Sequence, residues 1–283
     1  MNSKWLGPYR LIRLIRLGDT CQIWAAVDPS EDDQVAIKVL RPELRDNPQE
    51  LALLKWEYEV GSKLHHKSIP CFKDFVTSAE TSFSVLELFS ELNLQMALRG
   101  GPQMIAYMVE KIILETAEAL SYLHSQGFIH CDVKPGNILM NRNGDIRLID
   151  FKFACKKRTG LSKLFAKIPK LRGTRAYMSP EQIRQQHLNE RSDIYSLGCT
   201  IFEILTGQPP YASGAPNEIL SQHLSAPIPS VSQANEDVTK DFDAVLTSMM
   251  AKAPKDRPAS MHVVISAIKS TKIFNRPPRL PER

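Results

Sequence analysis

The order of patterns along this chain predicts an α+β architecture, a small sheet-rich lobe followed by a larger, mostly helical one. Three observations carry that expectation. Strand-like patterns come early, within the first ninety or so residues, long helical patterns closed by Gly127 and Gly207 dominate the rest around one short hairpin, and there is no internal repeat or low-complexity tract. With 283 residues, 43% apolar and 24% charged, the chain suits one large domain or two lobes sharing a cleft, and such a cleft is the default place for a ligand.

The elements follow in order. Tyr9 to about Leu40 reads as strands, and in "QVAIKVL" Val35, Ile37 and Val39 face one side while Ala36, Lys38 and Leu40 face the other. "NPQE" then supplies an N-cap Asn47, Pro48 at the first helical position and Glu50 three after the cap, starting a helix expected to run to about His65. On it Leu53, Glu57, Val60 and Leu64 share a stripe, and a carboxylate among apolar neighbours needs a cation, because burying it unpaired is costly. "SVLELF" reads as a strand leading to a connector. Ile105, Met108, Ile112, Glu115 or Thr116, Leu120 and Leu123 mark a long helix, and "SDIYSLGCTIFEILTG" is apolar nearly all round, as a buried central helix would be.

Between these helices, "NILMNRNGDIRLID" holds two short apolar runs around Asn143 and Gly144, a strong hairpin signal. Antiparallel pairing would set Asn137 and Asp150 side by side with Asp132 a short loop away, and hard oxygen ligands of this kind suit Mg²⁺ bound to phosphate groups.

Composition excludes several classes. No apolar run reaches the roughly 18 to 20 residues a spanning helix needs, and "MNSKWLGPYR" lacks a signal peptide's apolar stretch, so a cytoplasmic protein without a transmembrane segment is expected. Cys21, Cys71, Cys131, Cys155 and Cys199 are odd in number and form no CxxC, which argues against a disulfide frame or a zinc site. The net charge of +5 is concentrated: Lys152 to Arg175 holds nine of the 36 basic residues and no acid, leaving a mildly acidic remainder with all 31 acids.

"VAIK" with Lys38, the helix with Glu57, "HCDVKPGN", "DFK" with Asp150, "GTRAYMSPE", "SDIYSLG" with Asp193 and "DRP" with Arg257 occur in the order and spacing of one family. Over about residues 9 to 270 the chain resembles a eukaryotic-like protein kinase, and "GTRAYMSPEQI", "LTGQPPY" and "KPGN" most resemble the bacterial Ser/Thr kinases. The resemblance implies the bilobal kinase fold, with an N-lobe of about 9–89 and a C-lobe of about 90–270 in a kinase domain of 1–270, followed by a proline-rich tail of 271–283 ending in "RPPRLPER".

It also implies roles. Lys38 would hold the α and β phosphates of ATP and pair with Glu57, while Asn137 and Asp150 would hold Mg²⁺ or Mn²⁺. Asp132 would orient the substrate hydroxyl and accept its proton, Lys134 would stabilise the transferring phosphoryl group, and Thr174 would hydrogen-bond near both. Leu17 and Gly18 would lie over the nucleotide and Ile23, Ala36 and Leu139 would sandwich the adenine. Glu87 and Phe89, after gatekeeper Leu86, would offer backbone groups to its edge, and Asn93 would reach the ribose. Asp193 and the Glu181–Arg257 pair would be structural.

Departures accompany the matches. "RLGDTC" keeps Gly18 of a glycine-rich loop but places Arg16 and Cys21 at the outer glycine positions, where side chains hinder backbone approach to phosphate. Gly61 stands where the family puts an apolar spine residue, so a less well anchored helix is expected. Cys131 replaces a phosphate-gathering arginine, and Lys152 replaces the glycine after "DF", bringing an ammonium near Asp150.

The leading reading is a protein Ser/Thr kinase acting on a protein hydroxyl, and the alternative is a nucleotide-binding pseudokinase serving as scaffold or allosteric partner. A small-molecule kinase is disfavoured by "GTRAYMSPE". Within "GLSKLFAKIPKLR", Leu161, Leu164, Phe165 and Ile168 repeat at helical spacing away from Lys163 and Lys167. A solvated charge run, recognition of an acidic or phosphorylated substrate, and an anionic membrane surface compete to explain it. With Cys131 unable to hold a phosphate, Thr159 and Ser162 are expected to be dispensable. No nucleic-acid partner is expected, and the oligomeric state is left open.

Overall fold

The computed structural model describes residues 5–30, 33–77, 81–89, 91–157 and 172–279, so Thr159, Ser162 and the amphipathic stretch from Leu161 to Lys170 lie outside the described residues. The chain divides into two compact units, Met1–Glu91 with Ile149–Lys152, and Leu92–Leu148 with Phe153–Arg283.

The smaller unit is built on β1 (Trp5–Leu6), β2 (Tyr9–Leu17), β3 (Cys21–Asp28), β4 (Asp33–Leu40), β5 (Phe72–Thr77) and β6 (Ser82–Glu87), with α1 (Pro48–Gly61) between β4 and β5. They form one six-stranded antiparallel sheet in the order β1-β2-β3-β4-β6-β5. Alternation along β4 does what its pattern predicts: Val35, Ile37 and Val39 join Tyr9, Ala26, Phe83 and Val85 in one apolar cluster. That leaves Lys38 on the opposite face, in register with Ile23 on β3 and Ser84 on β6. The short β1 and the strand β5 carry no clean alternation, and the sequence reading assigned neither.

Helix α1 begins as expected, with the Asn47 side chain accepting from the backbone N–H of Gln49 and Glu50 and Pro48 at its first position. It ends four residues before His65, because Ser62 N–H closes the last helical bond on Tyr58 and Lys63 and Leu64 turn back onto Val60 and Gly61. The buried stripe is also corrected by one position: Leu54, not Leu53, accompanies Glu57, Val60 and Leu64 inside.

Gly61 overturns the expectation of a poorly anchored helix. A Cβ built there would meet the Phe72 ring at 2.3 to 2.6 Å, so the ring already occupies the space that a side chain at 61 would fill. Phe72 also packs against Tyr58 of α1 and Phe151, with ring centroids 6.4 and 6.2 Å away. The missing side chain is supplied from the neighbouring strand.

In the larger unit, β7 (Leu92–Asn93), β9 (Ile138–Met140) and β10 (Ile146–Leu148) form a small sheet, and β8 (Phe128–Ile129) pairs with β11 (Cys155–Lys156). The hairpin is as read, with Ile138 opposite Leu148 and Gly144 at φ +76° in the turn. Around it stand α2 (Leu94–Ala97), α3 (Val109–Ser125), α4 (Pro180–Ile183), α5 (Glu190–Thr206), α6 (Pro216–Ser225), α7 (Val231–Ala234), α8 (Lys240–Met249) and α9 (Met261–Ser270). α3 starts later than its apolar spacing suggests. Ile105 and Met108 are buried but sit in 3₁₀ turns after Gly101 (φ +96°) and Pro102. Thr116, not Glu115, takes the buried position, its hydroxyl donating to Ile112 O at 2.7 Å.

α5 is central, with every residue from Ser192 to Leu205 buried, and Gly207 at φ +81° closes it. Past α9, Lys272 to Asn275 are tied back onto Asp237–Thr239, several residues into the stretch read from sequence as tail. No helix among the described residues is long and apolar enough to cross a membrane.

The Gly61–Phe72 fit predicts a coupled pair. Gly61→Leu alone lowers stability by about 1 to 3 kcal/mol through overpacking, and Phe72→Ala alone lowers it by about 3 to 5 kcal/mol. The double variant is less destabilised than their sum by about 0.5 to 3 kcal/mol. Urea denaturation of the four proteins measures this, and strict additivity would show that the ring does not fill the position.

Candidate active site

In the smaller unit the alternation of β4 and the stripe of α1 converge on one cation. Lys38 Nζ lies 2.6 Å from Glu57 Oε2 and 3.1 Å from Asp150 Oδ1. Burial alone would push the Lys38 ammonium down, but the Asp150 and Glu57 carboxylates outweigh it and hold the pKa up. Burial lifts the Glu57 carboxyl, with Lys38 opposing. Asp150 adopts φ +70°, and its other oxygen, Oδ2, faces Lys152 Nζ at 3.4 Å. The ammonium expected from the replaced glycine is therefore in ion-pair range of Asp150.

The loop after β2 turns tightly, Gly18 N–H donating to Cys21 O at 2.9 Å, and a Cβ on Gly18 would meet that oxygen at 3.2 Å. Leu17 is exposed, Arg16 pairs in register with Ile23, and burial raises the pKa of the Cys21 thiol. Ala36 is buried opposite Leu86. Glu87 ends β6 with its N–H on Cys71 O, and Phe89 O accepts from Glu91 N in the connector.

In the larger unit the organising group is Asp193, fully buried on α5. Its Oδ2 accepts from His130 N at 2.8 Å and meets the His124 ring at 2.8 Å, while Oδ1 accepts from Cys131 N at 2.9 Å. Burial would raise this carboxyl, but the His124 contact and the donors of the loop keep it below the ordinary range. Held there, the backbone enters the left-handed region at Cys131, φ +67°, and Gln182 Nε2 fixes the Cys131 carbonyl at 2.8 Å. His124 and Gln182 escaped the sequence reading. His124 follows the apolar Leu123 in a helical pattern, and Gln182 lies inside a motif read for its glutamate.

The next residue, Asp132, is the hub of a dense network. Oδ1 accepts from Thr174 N at 2.8 Å and Thr174 Oγ1 at 2.9 Å, while Oδ2 accepts from Asn137 Nδ2 at 3.0 Å and lies 3.0 Å from Lys134 Nζ. Lys134 Nζ in turn donates to Thr174 Oγ1 at 2.5 Å. Asn137 spends its amide N–H on the Asp132 side chain and carbonyl, which leaves Oδ1 as its ligand-type atom. Leu139 lies on β9 between Asn93 and Arg147 in register, and the Asn93 side chain caps α2 by accepting from Met96 N.

Farther from this network, Arg257 grips Glu181 with two parallel bonds of 2.8 Å and also donates to the carbonyls of Arg191, Ala251 and Lys252. Burial would raise Glu181, but Arg257 lowers it below 4.5. A carboxyl depressed by folding stabilises above its unfolded value and loses that contribution as pH falls through the folded one. Thermal stability is therefore expected to fall as pH drops below about 4.5 and again below about 3.8, the ordinary values of Glu181 and Asp193. Glu181→Gln is less stable at pH 7 but shows a flatter acid limb in melting scans, and Arg257→Ala, which strands a buried carboxylate, costs about 3 to 5 kcal/mol. A Glu181→Gln acid limb as steep as the parent's would refute the assignment.

Residues 9–267 match the family model described as protein kinase domain. The chain is 34% identical over 257 residues to the serine/threonine-protein kinase PknB of Mycobacterium leprae, covering 88% of this chain and 40% of that protein. It is 33% identical over 254 residues to PknH of Mycobacterium tuberculosis, covering 90% and 40%. A probable serine/threonine-protein kinase of Streptomyces coelicolor is 28% identical over 256 residues, covering 89% and 38%. The chain thus spans about two fifths of the length of these curated relatives. With a sheet-based unit carrying the Lys38 ion pairs, a helical unit carrying the Asp132 network, and a match over nearly its whole length, the chain belongs to the protein kinase domain family.

Proposed function

We propose that this chain is the catalytic domain of an ATP-dependent protein serine/threonine kinase. Protein kinases generally use ATP with Mg²⁺ or Mn²⁺ and act on protein substrates. The observation that carries the reading to this chain is the completeness of the Asp132 network: carboxylate, lysine, threonine and asparagine meet within 3.0 Å steps. An acid–base pair so constrained suits proton transfer at a hydroxyl.

In this reading Asp132 orients the substrate serine or threonine and accepts its proton as the hydroxyl oxygen bonds to the γ-phosphorus. The bond from that phosphorus to the β–γ bridging oxygen breaks, and ADP leaves. Lys134, held by Thr174, neutralises charge on the moving phosphoryl group. Lys38, aligned by Glu57, takes the α and β phosphates. The donor set fits a hard cation. In this reading Asn137, through its Oδ1, and Asp150, through its carboxylate, would be the residues that hold the ion. A divalent ion held so would supply charge neutralisation for the phosphates.

The basic run favours a substrate of acidic or phosphorylated character, since a cluster of one sign attracts the other. Among its described members Lys152 already pairs with Asp150 and Lys157 with Glu190. Dependence on ATP implies a cytoplasmic setting.

The Lys152–Asp150 contact favours a second reading, a nucleotide-binding pseudokinase. Labelled ATP with Mg²⁺ or Mn²⁺ and a peptide series decides between them. The kinase reading expects transfer to Ser or Thr, lost by about 10²- to 10⁴-fold in Asp132→Asn and abolished in Asp150→Ala. Nucleotide binding without transfer would establish the pseudokinase instead. Removing the ammonium in Lys152→Ala is expected to lower the Mg²⁺ needed for half-maximal rate by about five- to tenfold, because an added positive charge this near a divalent ion opposes it by roughly 1 kcal/mol or more even in water. An unchanged Mg²⁺ requirement would show that Lys152 turns away when metal binds.

A further inference from the structure

Two thiols meet beside the Asp132 network. The β8–β11 pairing sets Cys155 opposite Ile129, and two residues beyond Ile129 comes Cys131, whose Sγ lies 3.5 Å from Cys155 Sγ. Both cysteines are free, Cys131 buried and Cys155 half-buried. The remaining three are Cys71, exposed, Cys21, half-buried with its sulfur beside the Thr20 hydroxyl, and Cys199, buried in α5. Cys131 is not a loose side chain on a surface loop. Its N–H is held by Asp193, its carbonyl by Gln182, and its neighbour is Asp132.

We propose that Cys131 and Cys155 form a redox-modification site, in which a peroxide converts the pair to a disulfide tying β11 to the loop that carries Asp132. The half-buried Cys155 is the sulfur a small oxidant reaches. Its thiolate attacks the peroxide O–O bond, giving a sulfenic acid and, for hydrogen peroxide, one water. Cys131 sulfur then displaces the hydroxyl, forming the S–S bond with loss of a second water, so two thiols are oxidised as one peroxide is reduced. The Cys155 contact and burial raise the Cys131 thiol pKa, which fits it to the second, resolving step and not to the first.

The sulfurs must approach by about 1.5 Å to reach bonding distance. The backbone of Cys131 is pinned on both sides, so that closure strains the segment immediately before Asp132. The site itself does not depend on the kinase reading, because the cross-link is read chemically whether or not the protein transfers phosphate.

The test treats the purified full chain with hydrogen peroxide, blocks remaining thiols with N-ethylmaleimide and maps peptides by mass spectrometry. The expected product is a Cys131–Cys155 linked peptide, formed also in Cys71→Ser, absent in Cys155→Ser and reversed by dithiothreitol. Transfer by the oxidised fraction is expected to fall on the order of 10²-fold, the effect of a small misplacement next to the chemistry, and Cys155→Ser is expected to resist peroxide while keeping its reduced-state rate. Peroxide that modifies Cys71 while leaving Cys131 and Cys155 unlinked overturns the proposal. A linked protein with full transfer rate overturns its connection to Asp132. Absence of transfer in the fully reduced protein instead counts against the kinase reading and leaves the cross-link result standing.

Discussion

A single buried carboxylate, Asp193, sets the geometry on which the larger unit's chemistry depends. Taking such a group out of water costs several kcal/mol unless donors replace the lost hydration. The donors here are the backbone N–H groups of His130 and Cys131 and the ring of His124. Satisfying Asp193 and bending the loop are therefore one event. The left-handed Cys131 would by itself be unfavourable by about 1 to 3 kcal/mol, and the charge-assisted bonds to Asp193 offset that strain. What results is an Asp132 whose two oxygens are committed to Thr174, Asn137 and Lys134.

The smaller unit solves a similar problem with the opposite sign. Lys38 is the buried charge, and Glu57 and Asp150 are its compensation. For Glu57 to arrive, α1 must sit firmly against the sheet, and there Phe72 does work that helix residue 61 leaves undone. The ring touches Tyr58 on the helix and Phe151 beside Asp150, so one aromatic side chain braces both carboxylate-bearing segments. Packing and electrostatics are thus not separate layers in this unit.

Much of this was legible in the sequence because it rests on local patterns. The period of two in β4, the Asn47–Pro48 helix start, the Asn143–Gly144 hairpin and the nearly all-apolar α5 each follow from nearest-neighbour chemistry. Glu57 announced its partner by standing in an apolar stripe. What escaped was non-local. The Phe72 ring over Gly61 joins residues eleven apart across a turn, and no spacing rule reveals that a strand side chain fills a helix gap. His124 and Gln182 are ordinary-looking residues whose importance lies in the loop they hold. Boundaries failed where competing turn chemistry intervened, at Gly101–Pro102 before α3 and at Ser62 after α1.

The Asp150 segment also bears on how the chain acquires its fold during synthesis. Ile149–Lys152 belongs to the smaller unit, so that unit is not contiguous, and Lys38 waits 112 residues for its second counter-ion. A ribosome that has released the six strands and α1 has still not released Asp150. Glu181, likewise, is stranded in an apolar setting until Arg257 emerges 76 residues later. Closing such long loops is entropically demanding and slow. Vectorial synthesis therefore exposes a nascent sheet whose buried lysine has only Glu57 of its two counter-ions, and then a helical bundle with an uncompensated glutamate. The smaller unit is complete only once Asp150 is out, and the larger one only once Arg257 emerges, about ten residues before the kinase-domain match ends at 267, so a truncated chain lacking α9 and the Arg257 segment would be a substrate for chaperones and proteases and not a smaller working protein.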